Sequence, residues 1–493
     1  MIGSWRKDAE GRRALAWAAG FFIVVAGLLL HRYYTYYASY DQGIFNQVFW
    51  NGTHGNFFQS TLSSQLSTDV IHAGELPRVN YHRLGQHFTP ALLLWLPLYY
   101  LFPFPVTLSV LQAAFGAIAG ILLYFLARKH LEPRLALGIM VSFYCAIAVL
   151  NPYLANFHDI GQIPLFIFGL LLAMEYRRWW VMALLCIAVL AVREDSAIAL
   201  FGVGAYLLAS RRHPWVGAGV CALSVGYFVL VTNVFMPHFS ADISKRFMIE
   251  EFGQYIQDEE ASTLQVLWAM ISQPGLLLRE LLTPVGGTVE YLVGHWLPLA
   301  FVPALSPAAW LMAGPPLLKL TLTDGDSGLN TSLRYALNVV PGMFYGAILW
   351  WAGQGWRRFW QPLATLIARS PSRNFRRWWR ACLIISLLFV PIANPSRVFT
   401  FMIPDSVQPW VYVSPPAQWQ RAAAMNQLLA QIPPAASVTA STYLVPHISG
   451  RRAILRMPRV DYIGDQGAVQ TVDYVAADLW QLQRYQVAFS RDR

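Results

Sequence analysis

Two apolar segments that flank three consecutive charged residues decide the fold class. Residues 179–209 read WWVMALLCIAVLAVREDSAIALFGVGAYLLA. Apart from Arg193, Glu194 and Asp195, the part from about 181 to 209 holds almost no polar side chain. Because one charged residue at the centre of a membrane helix costs about 2.5–3.5 kcal/mol, three in a row need either a tight outer turn or ionic partners. The flanking segments are therefore predicted to be membrane helices.

The composition of the whole chain also indicates a polytopic membrane protein. Of its 493 residues, 56% are hydrophobic and 13% are charged, and the mean hydropathy is +0.40. Soluble domains carry roughly 25% charged residues, so a cytosolic enzyme, a disordered protein and a fibrous repeat are excluded. The net charge of +10 comes with arginine runs between apolar segments, which fits membrane topology and not nucleic-acid binding. The four cysteines lie inside apolar segments, so neither a disulfide framework nor a zinc ribbon is expected.

Eleven membrane spans are predicted, with the N-terminus inside and the C-terminus outside. The apolar segments are roughly 14–30, 105–127, 135–152, 160–176, 179–193, 196–211, 214–236, 286–304, 306–322, 335–352 and 379–394. The first, preceded by Arg6, Lys7, Arg12 and Arg13, reads as a retained signal anchor. Basic runs at 128–129, 177–178, 211–212 and 357–380 fall between alternate spans, as cytoplasmic loops require. The stretch 90–102 is too short to cross, so a re-entrant or interfacial helix is expected.

The predicted fold class is an all-α polytopic membrane protein with a small extracytoplasmic α/β appendage. Residues 1–395 would form the membrane domain with a long first loop, 31–89, and residues 396–493 the appendage. In the tail, a helix over 417–431 and apolar runs at 437–441, 453–457 and 472–477 predict alternating helix and strands. The topology places the first loop, the tail, the charged turn at 193–195 and the loops 153–160, 237–262 and 323–334 on one non-cytoplasmic face.

Asp41 is the first candidate functional residue on that face. It follows the first span by about ten residues, in YDQGIFNQVFWN (40–51), where Ile44, Phe45, Val48 and Phe49 recur at helical spacing. We expect a short amphipathic helix along the membrane surface. A carboxylate fixed at its start can accept a proton from a bound hydroxyl. The alternative is that Asp41 only caps the helix.

Two histidines and a second acid are candidates for substrate binding. His87 stands in GQHFTP (85–90), and His158 and Asp159 stand in NFHDIGQ (156–162). Adjacent His and Asp between apolar spans tend to face a water-filled cavity or a partner. The alternative is an interfacial position with side chains that simply reach water, and residues 81–83 are expected to be solvated loop. No HExxH or comparable spacing is present, so the metal signal is weak and a divalent metal stays an open question.

The remaining candidates are charged residues at the ends of apolar segments. Arg193, Glu194 and Asp195 form either a plain outer turn or an ion-paired site. Arg334 and Tyr335 open the tenth span on the same face. An arginine there can clamp a phosphate with two hydrogen bonds, or it can anchor the chain at the interface together with the tyrosine.

In their order along the chain, these motifs resemble the landmarks of a bacterial family of uncharacterised polytopic membrane proteins. The matching pieces are YDQGIFNQVFWN, GQHFTP, NFHDIGQ, REDSA and the tail segment IPPAASVTASTYLVPHISGRR. The family looks like a branch of the C-type glycosyltransferase superfamily, and the resemblance covers essentially the whole chain, most weakly at 237–330. Asn156 and Asp159 stand where Asp and Pro are expected, and Arg193 stands where Lys is usual.

The resemblance implies an inverting membrane glycosyltransferase with the fold of that superfamily. Such an enzyme takes a sugar from a polyprenyl-phosphate carrier in the membrane lipid. It transfers the sugar to a glycan, lipid or protein acceptor outside the bacterial cytoplasmic membrane. The acidic residue expected as the base corresponds to Asp41, and Arg334, Arg193 and His87 are candidates to stabilise the departing phosphate. A lipid phosphate leaves without an acid partner, so one carboxylate suffices and no cofactor is required.

Two other functional classes stay open. A transporter or flippase of lipid-linked sugars would use Glu194, Asp195 and His158 as a proton or substrate path, although the sequence shows no paired repeat of the kind many transporters have. A non-catalytic subunit of a membrane complex would keep the fold without the activity, which the changed residues 156 and 159 would allow. A cavity at Asp41 open to lipid and water favours the enzyme, and a filled one favours the subunit.

Overall fold

The computed structural model describes residues 9–240, 242, 255, 263–323, 328–394, 398–399 and 411–484. Several sequence-based expectations fall outside these residues. They are the role of Arg6 and Lys7, the boundary at 395/396, the end of the tail, most of the 237–262 loop and the middle of the 323–334 loop.

The described residues are mostly helical. Before the tail, the α-helices are Ala9–Tyr34, Tyr40–Thr53, Thr61–Ser64, Thr68–Ile71, Leu96–Leu101, Pro105–Arg128, Pro133–Tyr144, Ile147–Leu154, Ile163–Glu175, Trp179–Val192, Ser196–Ala209, Pro214–Leu230, Met236–Phe239, Thr263–Ser272, Pro274–Leu282, Val285–Trp296, Pro307–Leu322, Val340–Trp351 and Arg373–Ile392. Short 3₁₀ turns connect several of them: Arg83–Gly85, Pro90–Leu94, Asp159–Gln162, Leu297–Leu299, Val302–Leu305, Arg334–Asn338, Trp356–Arg358 and Leu363–Thr365. One π turn, Val231–Phe235, continues the helix that begins at Pro214.

Three described helices are long and apolar enough to cross a membrane, namely Ala9–Tyr34, Pro105–Arg128 and Pro214–Phe239. The pair Pro133–Tyr144 and Ile147–Leu154 passes the same test together and bends by 48° at its break. The protein is therefore a helical membrane protein. The count of eleven spans remains a prediction.

The two helices beside the charged turn are short. Trp179–Val192 and Ser196–Ala209 have 14 residues each, which gives about 21 Å against a hydrocarbon core about 30 Å thick. Helices this short would leave the charged turn between them inside the hydrocarbon region, where charged side chains need polar partners from the protein.

The stretch 90–102 is broken rather than continuous. A turn at Pro90–Leu94 leads into the six-residue helix Leu96–Leu101, about 9 Å long, which is far too short to cross a membrane. Leu94, Tyr100 and Leu101 are exposed on it. Exposed apolar side chains on so short a helix suit an interfacial position.

The tail is a small α/β unit. The helix Pro415–Leu429 precedes three parallel strands in the order Ile454–Arg456, Val438–Ala440 and Tyr474–Ala476. Asp461–Ile463 and Val469–Thr471 form a separate antiparallel hairpin. Val445–Ile448 and Leu479–Arg484 are short helices. The three parallel strands lie within the three apolar runs noted in the sequence.

The first loop and the tail share one hydrophobic core. Tyr36, Ile44 and Leu62 of the first loop are buried together with Val438 and Ile454 of the sheet. The two segments are more than 350 residues apart in sequence, between 62 and 438. The tail is therefore fixed against the segment that follows the first membrane helix.

The helix Tyr40–Thr53 is enclosed by protein. Ile44 packs into the core shared with the tail, whereas Phe45 and Phe49 pack into the core of the membrane part. The predicted position on the membrane surface is wrong. An apolar face at helical spacing packs equally well against lipid or protein, and here the tail covers one side of the helix.

A buried ionic network is centred on Glu175, the last residue of the helix Ile163–Glu175. Glu175 Oε2 lies 2.6 Å from Arg212 Nη2, and Glu175 Oε1 lies 2.9 Å from His130 Nε2. Tyr345 donates its hydroxyl to the same carboxylate and accepts from Arg212 Nη1 at 2.7 Å. The network ties together four segments that are distant in sequence.

Removing this carboxylate is expected to destabilise the protein strongly. Glu175→Ala would leave Arg212 and His130 buried without their partner, which typically costs about 3–5 kcal/mol. Unfolding in detergent measures the loss, with Glu132→Ala as the matched control because Glu132 is exposed and follows His130 by two residues. Equal stability of the two variants would show that the network contributes little.

Candidate functional site

Asn156 fixes the start of the helix that carries Asp41. Ser39, the residue before the helix, donates its backbone N–H to Asn156 Oδ1 at 3.0 Å, and the Asn156 amide contacts the Ser39 hydroxyl. Arg32 Nη1 donates to the same Oδ1 at 2.8 Å. Asn156, one of the departures from the family pattern, thus joins the first membrane helix to the helix Tyr40–Thr53.

Asp41 lies in the first turn of that helix and points towards Arg334. The N-cap residue is Ser39, so Asp41 is not the cap. Its Oδ2 lies 3.2 Å from Arg334 Nη1. The two side chains are 31% and 30% exposed, so the pair is accessible from one side.

A fully enclosed ion pair lies next to this exposed one. Asp159 Oδ2 is 3.8 Å from Arg83 Nη2, and His158 Nδ1 contacts Asp159 Oδ1. The guanidinium of Arg83 also lies 4.8 Å from the centre of the Phe45 ring. The expectation that residues 81–83 form a solvated loop is therefore wrong at Arg83, because a buried carboxylate holds it inside the protein.

The turn at 193–195 is an ion-paired site and not a plain outer turn. Arg193 Nε lies 3.2 Å from Glu194 Oε1 and 3.3 Å from Asp195 Oδ1. Glu194 accepts from His87 Nδ1 at 3.0 Å and from the backbone N–H of Phe88 at 2.9 Å. The turn and the GQHFTP segment are thereby held together.

Close helix packing places Lys319 beside Asp195, with Nζ 3.2 Å from Oδ2. A Cβ on Gly202 would lie 2.1 Å from the carbonyl oxygen of Met312, so only glycine permits this approach. Gly202 follows Asp195 by seven residues, and Met312 precedes Lys319 by seven. On each helix, about two turns therefore separate the close contact of Gly202 with Met312 from the ion pair of Asp195 with Lys319.

Three cations surround the ring of Tyr335. The charged groups of Arg334, Arg193 and Lys319 lie 5.0, 5.7 and 5.8 Å from the ring centre. Arg193 Nη1 and Arg334 Nε are buried and have no hydrogen-bond partner among the described residues. Buried donors without a partner at a cluster of positive groups are what an anion such as phosphate would satisfy.

The electrostatics keep the Asp41 carboxylate ionised. Burial acts to raise the pKa of Asp41, but Arg334, His158 and Arg83 together lower it below its ordinary value. Burial and the nearby Arg334 lower the pKa of His158, against the opposing effect of Asp159. At neutral pH, the cluster therefore presents a charged carboxylate at Asp41.

The structure brings all the residues singled out in the sequence into one connected cluster. Asp41 interacts with Arg334, His158 and Asp159, and Arg193 interacts with Tyr335, Glu194 and Asp195. Glu194 in turn contacts His87.

The cluster also contains Arg83 and Lys319, which the sequence analysis missed. Lys319 is the lone charged residue of the segment 306–322. Because a charged side chain within an apolar span needs a partner, this position could have been recognised from the sequence.

No group of three or more His, Cys, Asp or Glu side chains is placed to hold a metal ion in the described residues. The acids of the cluster are separated by cations, and Asp41, Asp159 and Asp195 each lie against an arginine or a lysine.

The fold and the site define a helical membrane protein with a buried ionic cluster. A family model described as "Predicted membrane protein (DUF2079)" matches residues 32–492. The chain belongs to this family, which confirms the predicted relation to uncharacterised membrane proteins. No curated protein matches the chain. Among solved structures, the chain is similar to ArnT from Cupriavidus metallidurans, bound to undecaprenyl phosphate, with 13% identity and a TM-score of 0.46 over 90% of this chain and 86% of that one.

Proposed function

We propose that the protein is a membrane glycosyltransferase that uses a polyprenyl-phosphate sugar as donor. The observation that carries this proposal is the contact between the Asp41 carboxylate and Arg334 at the exposed edge of the cation cluster around Tyr335. A carboxylate at this edge supplies a base, and the cations supply the site for a departing phosphate. The motifs resemble those of a family that looks like a branch of the C-type glycosyltransferase superfamily, which supports the same reaction.

Donor binding would rearrange the exposed ion pair. The donor phosphate would take hydrogen bonds from Arg334 and from the unsatisfied Nη1 of Arg193, with Lys319 adding positive charge. Asp41 would lose its partner and gain basicity, because Arg334 is one of the groups that hold its pKa low. The base would thus become most effective once the donor is in place.

The transfer itself is a single displacement. Asp41 takes the proton of the acceptor hydroxyl as its oxygen forms a bond to the anomeric carbon of the sugar. The bond from that carbon to the phosphate oxygen breaks, and polyprenyl phosphate leaves with the electron pair. Attack from the face opposite the phosphate inverts the anomeric configuration. The acceptor is a glycan, a lipid or a protein on the non-cytoplasmic side.

An apolar cavity beside the first membrane helix supports a lipid ligand. It has a volume of about 480 Å³, and its wall includes Trp17, Phe21, Tyr144 and Leu387. A polyprenyl chain requires such an apolar surface next to the hydrocarbon region of the membrane. We assign the cavity to the lipid part of the donor.

Ligand binding by the purified protein tests the donor class. Polyprenyl phosphate is expected to bind at least tenfold more tightly than the uncharged polyprenol, because a charge-assisted hydrogen bond contributes about 1.5–3 kcal/mol. Native mass spectrometry or a fluorescent lipid analogue measures both affinities. Equal binding of the two lipids would show that the protein does not recognise the phosphate of the donor.

Transport of an intact donor across a vesicle membrane would favour a flippase. Binding of the donor without turnover would favour a non-catalytic subunit.

The proposed orientation places the N-terminus in the cytoplasm and the tail outside a bacterial inner membrane. Ala368→Cys and Ala468→Cys form a matched pair, because both positions are exposed alanines. The four native cysteines, at 145, 186, 221 and 382, would first be replaced. A maleimide that cannot cross membranes should label position 468 in intact spheroplasts and position 368 only after lysis. The reverse pattern would invert the topology and place the cluster on the cytoplasmic side.

A further inference from the structure

A polar pocket of about 540 Å³ lies between the first loop and the hairpin of the tail. Its wall carries the side chains of Ser437, Arg452, Asp465, Gln470, Thr471 and Asp473. The volume is within the range of roughly 300–1,000 Å³ that small-molecule sites have. Such sites are usually lined by apolar side chains, so this lining indicates a polar ligand.

Arg452 connects this pocket to the helix that begins with Tyr40 and Asp41. Its Nη1 lies 3.4 Å from Asn51 Oδ1, and its Nε donates to Asp465 Oδ2 at 3.0 Å. Asn51 follows Asp41 by ten residues, or about 15 Å along the helix axis. The pocket therefore contacts this helix near the end that lies farthest from Asp41.

The chemistry of the wall favours an uncharged ligand. The guanidinium of Arg452 is already paired with Asp465, so an anion would have to displace that carboxylate. Asp473 accepts from the backbone N–H and the hydroxyl of Ser437, both at 2.8 Å. The wall offers a carboxamide at Gln470 and a hydroxyl at Thr471, and both groups can donate and accept hydrogen bonds. Sugar hydroxyls need this dual capacity, since each of them is a donor and an acceptor.

We propose that this pocket binds a neutral oligosaccharide. The inference does not depend on the proposed function, because the wall of the pocket belongs mostly to the tail and reaches the helix of Asp41 only through Arg452 and Asn51.

Gly464 provides a way to disturb the pocket without removing a polar group. A Cβ at this position would lie 2.9 Å from Cδ and Oε1 of Gln470. Because this contact is with the end of a flexible side chain, Gly464→Ala should shift the carboxamide and leave the hairpin folded. Gln470 also lies directly opposite Tyr462 in the hairpin, whose ring is buried and forms the floor of the pocket.

The test measures the binding of oligosaccharides of about two to six neutral hexoses to the full-length protein in detergent, by native mass spectrometry. We expect binding, and we expect Gln470→Ala and Gly464→Ala to weaken it by about 5- to 10-fold, as loss of a hydrogen bond predicts. Gln466→Ala is the matched control, because Gln466 is exposed in the same hairpin and does not line the pocket. It should bind like the wild type.

Two results would overturn the inference. One is that no neutral oligosaccharide binds, or that only acidic ones do. The other is that binding survives unchanged in both pocket variants. The experiment also separates this inference from the proposed function. If Gln470→Ala weakens binding but the wild type transfers no sugar, the pocket stands and the proposed function fails. If the wild type transfers sugar but binds no neutral oligosaccharide, the pocket assignment fails alone.

Discussion

Replacing Asp41 by asparagine is expected to lower the rate of sugar transfer by about 10²–10⁴-fold, the usual contribution of a general base. Asparagine keeps the shape of the side chain but cannot accept the proton. Donor binding should persist, because Arg334, Arg193 and Lys319 remain around Tyr335. The measurement is turnover of a synthetic polyprenyl-phosphate sugar, with lipid binding determined in parallel.

The matched control for this variant is Glu75→Gln. Glu75 is a carboxylate of the same first loop, it is exposed, and its pairing with Arg78 is also exposed. Such a surface pair contributes little, so turnover should stay at the wild-type level. Unchanged turnover in Asp41→Asn would remove Asp41 from the mechanism. Loss of donor binding together with turnover would instead assign Asp41 to the donor site or to folding.

Replacing Arg334 by glutamine is expected to weaken donor binding by about 10- to 150-fold, since a charge-assisted hydrogen bond to phosphate contributes about 1.5–3 kcal/mol. The rate should fall as well, because the same arginine stabilises the departing phosphate. Titration of the variant with polyprenyl phosphate measures the first effect. Arg78→Gln serves as control, because Arg78 is exposed in the first loop and pairs there with the exposed Glu75.

The same variant also predicts the direction of a pH shift. Arg334 is one of the groups that lower the pKa of Asp41, so its removal should raise that pKa. The rate falls when the base becomes protonated, and the pairing with Arg334 belongs to the donor-free protein. The acidic limb of the pH profile of kcat/KM for the donor should therefore move to higher pH in Arg334→Gln. A shift towards lower pH, or no shift in a variant that still turns over, would contradict the pairing of the two residues.

Much of the site was predictable because charge is costly in an apolar environment. Arg193, Glu194 and Asp195 interrupt a long apolar run, and such residues require partners. The predicted topology placed His158, Asp159 and Arg334 on the same face as these residues. The structure shows that these residues contact one another through Arg83, Lys319 and Tyr335.

The pairing itself was not predictable, since it depends on contacts between residues distant in sequence. Arg83 looked like a loop residue because its neighbours are polar, and only the buried Asp159 explains its position. The position of the helix Tyr40–Thr53 was unpredictable for the same reason. Its apolar face suits either a membrane surface or a protein core. The tail residues that share its core, from Ala422 onwards, lie more than 350 residues later in the sequence.

Product analysis in a single reaction shows whether the protein transfers a sugar from a polyprenyl-phosphate donor. Purified protein in lipid vesicles would be mixed with a polyprenyl-phosphate sugar of known anomeric configuration and a cell-envelope acceptor fraction. We expect the wild type to release polyprenyl phosphate and to form a glycoside of the opposite configuration, and we expect Asp41→Asn to bind the donor but form almost none. A donor that the wild type binds and leaves chemically intact would contradict the proposed transfer.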